Sequence, residues 1–177
     1  MREDSPVASH STIRVIFFGA GDERGQDDDL VGSIDVSTAF LQADIYKEGE
    51  CKRYATFREY RGGPLRVFRL LGPLYGSRDS PRRWFDTLKA ELMTQAYGFI
   101  PCPTDPCAFH NPKTGVRLAL VVDDLLVRGK GEEVRKVMGA MQQSFTCTEP
   151  NYLTLDTPID FVGFRLSMTE EEGQVFY

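Results

Sequence analysis

The sequence has few of the residues that mark a disulfide scaffold, a membrane protein or a secreted one. Four cysteines in 177 residues (Cys51, Cys102, Cys107 and Cys147) are too sparse for a disulfide framework. No apolar run approaches the roughly 18 residues that a membrane helix requires. The first residues, Met1-Arg2-Glu3-Asp4-Ser5-Pro6, are acidic where a secretory leader is basic and then apolar. An intracellular, reduced protein with no membrane partner is expected. Internal repeats and Gly/Ser linkers are also missing. At 41% hydrophobic and 27% charged, the composition excludes disordered, collagenous and low-complexity classes and suits one globular domain or a piece of a larger one.

Positive charge is in deficit overall, with a net charge of −5, but it is not evenly spread. Residues 51–89 hold ten basic side chains (Lys52, Arg53, Arg58, Arg61, Arg66, Arg69, Arg78, Arg82, Arg83, Lys89) against Glu59, Asp79 and Asp86. This segment is therefore +7 and the remainder −12. The overall acidity argues against a general nucleic-acid coat protein, and the basic block leaves two readings, a solvated surface or one face that holds a polyanion.

Hydrophobic patterning predicts an α+β domain, a mainly antiparallel sheet with helices packed on one face. Residues 21–29 are polar enough for a loop, and Leu30–Val36 reads as a short strand with Asp35 embedded in it. Ser37 to Ala43 suits a helical turn capped by Ser37 or Thr38. Tyr54–Phe57 and Arg66–Leu71 read as strands joined through Arg61-Gly62-Gly63-Pro64. Trp84, Leu88, Leu92, Ala96 and Phe99 trace a helix with Pro81 at its start and Gly98 near its end. Val134, Val137, Met138, Met141 and Phe145 trace another after Gly129 and Gly131. Between the helices runs a strand-like stretch, Val116 to Val127, and Leu153–Leu155 and Phe161–Leu166 supply later strands.

The feature that calls for chemistry is Asp123-Asp124, set between Leu120-Val121-Val122 and Leu125-Leu126-Val127. Two carboxylates about 4 Å apart repel by roughly 4 kcal/mol at an effective dielectric near 20. One solution is a tight hairpin whose tip puts both acids in water. The other is a divalent cation, and hard oxygen ligands suit Mg²⁺. Asp35, also at the end of an apolar strand, is either the N-cap of the turn that follows or a third acid brought alongside by a sheet. Two smaller groups have bland alternatives: Cys102, Cys107 and His110 have no standard zinc spacing, and Trp84 with Phe85 is either a base-stacking platform or part of a core stripe.

Five segments taken in order resemble the reverse transcriptases of copia-type LTR retrotransposons. They are Asp35-Val36-Ser37-Thr38-Ala39-Phe40-Leu41, Leu74-Tyr75-Gly76 through Pro81-Arg82-Arg83-Trp84, Asp105-Pro106-Cys107-Ala108-Phe109, Val121-Val122-Asp123-Asp124-Leu125-Leu126 and Phe161-Val162-Gly163-Phe164-Arg165-Leu166. Val121 stands where the family usually has an aromatic, and residues 145–149 lack a lysine often found there.

The resemblance implies a palm-like domain over residues 30–166, a partial fingers-side extension and loop over 1–29, and a tail or start of a further segment over 167–177. It implies an RNA-directed DNA polymerase fragment of a polyprotein. Asp35, Asp123 and Asp124 would be the catalytic and metal-binding acids, holding two Mg²⁺ (or Mn²⁺) ions, with the Val36 carbonyl as a further ligand. Phe40 would pack under the incoming sugar, Tyr75 and Gly76 would line the nucleotide pocket, and Arg78 would lie near nucleic acid. The partners implied are an RNA/DNA template-primer, a dNTP and the fingers, RNase H and integrase segments of the Pol polyprotein, in a cytoplasmic particle or the nucleus. Two other readings remain: a palm remnant without catalysis that binds nucleic acid weakly, and a different two-metal nucleotidyl chemistry such as cyclisation.

Overall fold

The structure, a computed structural model, describes residues 6–18, 28–171 and 174–176. The acidic residues 1–5 and most of the polar 21–29 segment lie outside the described residues. The chain begins with a helix, α1 (His10–Phe18), which sequence patterning leaves unassigned, and continues into β1 (Asp29–Asp35). A single 3-10 turn follows at Ala39–Gln42. Then come the hairpin β2 (Arg53–Phe57) and β3 (Arg66–Leu70), helix α2 (Ser80–Leu92), and strands β4 (Ile100–Pro101) and β5 (Ala108–His110). The hairpin β6 (Arg117–Val121) and β7 (Asp124–Lys130) leads into helix α3 (Gly131–Ser144) and β8 (Asn151–Tyr152). The chain ends in two small hairpins, β9 (Ile159–Phe161) with β10 (Phe164–Leu166), and β11 (Thr169–Glu171) with β12 (Gln174–Phe176).

Six strands form one sheet in the order β4-β5-β6-β7-β1-β8, every pair antiparallel. The β6–β7–β1 centre is apolar on both sides: Leu118, Ala119, Leu120, Leu125, Leu126 and Val127 are all buried. A strand reads as a continuous apolar run when both its faces are covered, and this explains the Val116–Val127 stretch.

Strand alternation shows what covers each face. Gly32 lies opposite Val127, and a Cβ on it would stand 2.9 Å from Met138 Cε, so this face carries α3. Arg128, one residue further, points to the other face. There its guanidinium donates to the Phe17 carbonyl of α1 and, through Nε, to Asp29 Oδ2 at 2.7 Å. The helices are thus not confined to one face as expected. α3 covers one side, with α2 joined to it by the Ser144 hydroxyl donating to Glu91 (2.7 Å), and α1 covers the other. Ile13, Ile16 and Phe17 at helical spacing anchor α1, and their burial is hidden in a short apolar run.

Three other sequence expectations shift. The helix carrying Trp84, Leu88 and Leu92 stops at Leu92 rather than running to Phe99. The Thr94 hydroxyl donates to the Glu91 carbonyl (2.7 Å), Gly98 takes φ +67°, and the Phe99 N–H returns to the Leu92 carbonyl (3.1 Å). Phe161–Leu166 is a hairpin, not one strand: Val162 and Gly163 both have positive φ (49° and 80°), the requirement of a two-residue turn that matches strand twist. At residues 151–155 the strand is Asn151–Tyr152, and Leu153 is a buried residue just beyond it.

Candidate active site

The acids come together through the register of β1 on β7. Asp35 is the cross-strand partner of Asp124, and the Val36 N–H donates to the Asp123 carbonyl at 2.9 Å. Directly opposed residues have Cβ atoms about 5 Å apart, so the two side chains start from one place. By alternation with Arg128 they lie on the face opposite α3. Of the two sequence readings of Asp123-Asp124, the hairpin is present: β6 and β7 are joined by a two-residue tip, Val122-Asp123. The tip does not release the acids fully to water, since Asp35, Asp123 and Asp124 are each half-buried. Asp35 is not a helix N-cap either. The residue at the cap of the 3-10 turn is Thr38, in the left-handed region (φ 52°) and without a side-chain capping bond.

The electrostatics follow from that geometry. Burial, then Asp35 and Asp123, push the Asp124 carboxyl up to about 6. Burial, then Asp123, raises that of Asp35. Among the described residues no lysine, arginine or histidine is ion-paired with any of the three. Nor are any three Asp, Glu, His or Cys side chains drawn into a ready ligating cluster among those residues. The donor set still fits a hard divalent cation: carboxylate oxygens on adjacent strands, a neighbouring backbone carbonyl at Val36, and no competing cation among the described residues.

Residues that sequence reasoning missed hold this arrangement. Thr148 receives the Asp35 N–H on its hydroxyl (3.2 Å) and donates its own N–H to the Asp35 carbonyl (2.9 Å). Gln42 donates to the carbonyls of Ser37 (2.6 Å) and Thr146 (3.0 Å) and accepts the Thr146 N–H (2.8 Å). Apart from the Ser37 contact, these bonds cross more than a hundred positions of sequence, so no local pattern announces them. Trp84 is wholly buried and cannot be a stacking platform.

Of the residues expected to line a nucleotide pocket, two are in contact with each other. The rings of Phe40 and Tyr75 stand 4.9 Å apart. Gly76 has φ +86°, and a Cβ placed on it would meet nothing within 4 Å, so the turn itself demands glycine and the space above it is open. The Ser80 hydroxyl, fully buried, donates to the Leu74 carbonyl (2.7 Å) and fixes this loop. Arg78 is exposed beside it. Much of the basic block is spent internally: Arg83 pairs with Asp79 (2.7 Å) and Glu50, Arg53 with Asp79, Arg82 with Asp86 (3.0 Å) and Arg66 with Glu59 (3.1 Å). Cys107 is buried with its thiol pushed up to about 12 by burial, ill suited to zinc thiolate chemistry.

The fold is a mixed α/β domain on an antiparallel sheet, with Asp35 and Asp124 opposed at the ends of adjacent strands and Asp123 at the turn between β6 and β7. The sequence profile described as reverse transcriptase (RNA-dependent DNA polymerase) matches residues 2–169, and the chain belongs to this family. It is 31% identical over 145 residues to the Retrovirus-related Pol polyprotein from transposon TNT 1-94 of Nicotiana tabacum, covering 80% of this chain and 10% of that protein. It is 28% identical over 148 residues to the Pol polyprotein from transposon RE2 of Arabidopsis thaliana (82% and 10%). To the truncated transposon Ty1-A Gag-Pol polyprotein of Saccharomyces cerevisiae it is 26% identical over 145 residues (81% and 12%). The chain thus spans about a tenth of the length of these relatives.

Proposed function

We propose that this chain is the palm-like part of a copia-type reverse transcriptase and that Asp35, Asp123 and Asp124 hold its divalent cations, two Mg²⁺ with Mn²⁺ as substitute. The carrying observation is the pairing of Asp35 with Asp124 across β1 and β7, in a site that contains three acids and no cationic partner among the described residues. Magnesium, when bound, supplies the charge that acidifies a primer 3′-hydroxyl and neutralises a leaving pyrophosphate. The chain's own residues hold and orient. The carboxylates and the Val36 carbonyl supply oxygen ligands, and Thr148 and Gln42 keep the Asp35 backbone in place. Phe40, braced by Tyr75, packs under the sugar of an incoming dNTP and excludes a 2′-hydroxyl. Gly76 lets that nucleotide approach the backbone, and Arg78 lies near nucleic acid. The partners are a template-primer and the other segments of a Pol polyprotein.

Primer extension on an RNA template tests the reading. Extension that requires Mg²⁺ and disappears in Asp123→Asn is expected, and a Phe40→Ala chain should begin to incorporate ribonucleotides. Equal extension by the wild type and Asp123→Asn refutes the assignment.

A further inference from the structure

The turn that carries the acids is held in an unfavourable backbone conformation. Val122, at the tip between β6 and β7, has φ 57°. This is the left-handed region, sparsely populated for any side chain and least suited to a β-branched one. Two-residue hairpins place glycine at such a position, and such strain persists only where the surroundings over-determine it. Here the surroundings are on α2. The Trp84 indole Nε1 donates to the Val122 carbonyl at 2.7 Å, and the ring is completely shielded from solvent.

Trp84 also meets the segment that braces Asp35. Its ring packs edge-on against Phe145 with centroids 5.2 Å apart. Phe145 opens the segment whose Thr146 is clasped by Gln42 and whose Thr148 holds both backbone groups of Asp35. One side chain therefore touches the turn bearing Asp123 and Asp124 and the segment bracing Asp35. Four residues before it, Ser80 fixes the loop carrying Tyr75 and Gly76.

We propose that Trp84 is a positioning residue: its indole N–H locks Val122 in the left-handed conformation and so aims Asp123 and Asp124 at the cation site shared with Asp35. A core-filling role requires only the ring's volume, whereas the positioning role requires the N–H. Removing the donor leaves the Val122 carbonyl without its partner and frees the turn to relax toward ordinary φ. This inference rests on the reading of the acids as a cation site, and the test separates the two.

The chain contains one tryptophan, so a single indole N–H signal reports on the turn. Adding Mg²⁺ to ¹⁵N-labelled wild type should shift that signal, and should not in Asp123→Asn. Mn²⁺ affinity is then measured by titration for three changes: Trp84→Phe, Trp84 replaced by benzothienylalanine (nearly the same shape without the N–H), and Trp84→Phe with Val122→Gly. Loss of one such hydrogen bond should weaken Mn²⁺ binding about tenfold in both single replacements. Glycine adopts positive φ freely, so Val122→Gly on the Trp84→Phe background should recover most of that loss. A benzothienylalanine chain that binds Mn²⁺ within about twofold of wild type overturns the positioning role, as does failure of Val122→Gly to restore affinity. If Asp35→Asn and Asp123→Asn both bind Mn²⁺ as tightly as wild type, the cation site itself is wrong and this proposal falls with it.

Discussion

Replacing Asp124 by asparagine should stabilise the metal-free protein at neutral pH, against the usual direction of a mutation at a half-buried polar site. Burial and the charges of Asp35 and Asp123 push the Asp124 carboxyl from 3.8 up to about 6. At 1.36 kcal/mol per pH unit this corresponds to about 3 kcal/mol of native-state penalty, which solvent screening at a half-buried site reduces to about 1–2 kcal/mol. The sign follows from linkage. Below the unfolded carboxylate value both states are protonated and there is no penalty. Between there and about 6 the native state holds a proton that the unfolded chain has lost, so this contribution falls as pH rises and the penalty is complete near pH 7. The asparagine carries no charge, so its advantage should be present at about pH 7 and absent at about pH 3. For a chain of this length the gain is about 3–6 °C in Tm. Thermal and urea unfolding in EDTA at the two pH values measure it. An Asp124→Asn chain that is less stable than wild type at neutral pH, or that differs from it equally at both pH values, refutes the electrostatic account. In Mg²⁺ the order should reverse, because wild type gains binding energy that the variant cannot.

Asp105 behaves in the opposite sense. Burial works against its charge, but hydrogen bonds from the Thr12 hydroxyl, the Cys107 N–H and the Ser9 N–H hold it below the ordinary carboxylate range. Asp105→Ala should cost about 1–3 kcal/mol at neutral pH, a difference that shrinks as pH falls through the carboxyl's native value; urea midpoints at about pH 7 and pH 3 check it. Gly32→Ala should destabilise by about 1–2 kcal/mol, since the new Cβ meets Met138 Cε at 2.9 Å and the Tyr152 ring at 3.1 Å; unchanged urea unfolding would show that α3 yields without strain. Arg128→Ala removes a buried guanidinium that serves both Asp29 and the Phe17 carbonyl and should cost about 3–5 kcal/mol, with amide exchange accelerated first in α1.

Local sequence signals carry β1, the β2–β3 hairpin, the apolar β6–β7 stretch, and α3 to within a residue of its end, because their pattern is written in consecutive residues; β4, β5, β8 and the last two hairpins, with two or three residues per strand, are too short to show a period. Trp84, Leu88 and Leu92 also announce α2, but the same stripe runs on to Ala96 and Phe99 after the backbone has turned at Thr94. A buried stripe records which residues face the core, not whether one helix supplies them all. α1 escapes because its three core contacts, Ile13, Ile16 and Phe17, sit in only nine residues; Ser9 caps its start by accepting the Thr12 N–H (3.0 Å), but the carboxylate that receives the Ser9 N–H is Asp105, 96 positions away. The placement of helices on both faces is equally illegible, since it rests on Arg128 reaching α1 and Gly32 admitting α3.

The acids illustrate why a site can be easier to locate than to explain from sequence. Asp123-Asp124 stands out because charge inside an apolar run conflicts with burial, and Asp35 stands out for the same reason. What the sequence does not convey is how the conflict is contained. Thr148, Gln42 and the Val122 carbonyl are all held by partners far away in the chain, and each acts on backbone, which leaves the carboxylates themselves uncompensated. A fold optimised for stability alone would have placed an arginine beside them, as it does beside Asp29 and Asp79. The protein instead fixes the main chain around three acids that no described cation neutralises, and on the proposed function a bound divalent ion is what relieves their repulsion. On the proposed function, that division of labour between a held backbone and uncompensated side chains serves ion binding and is not a tolerated flaw in the core.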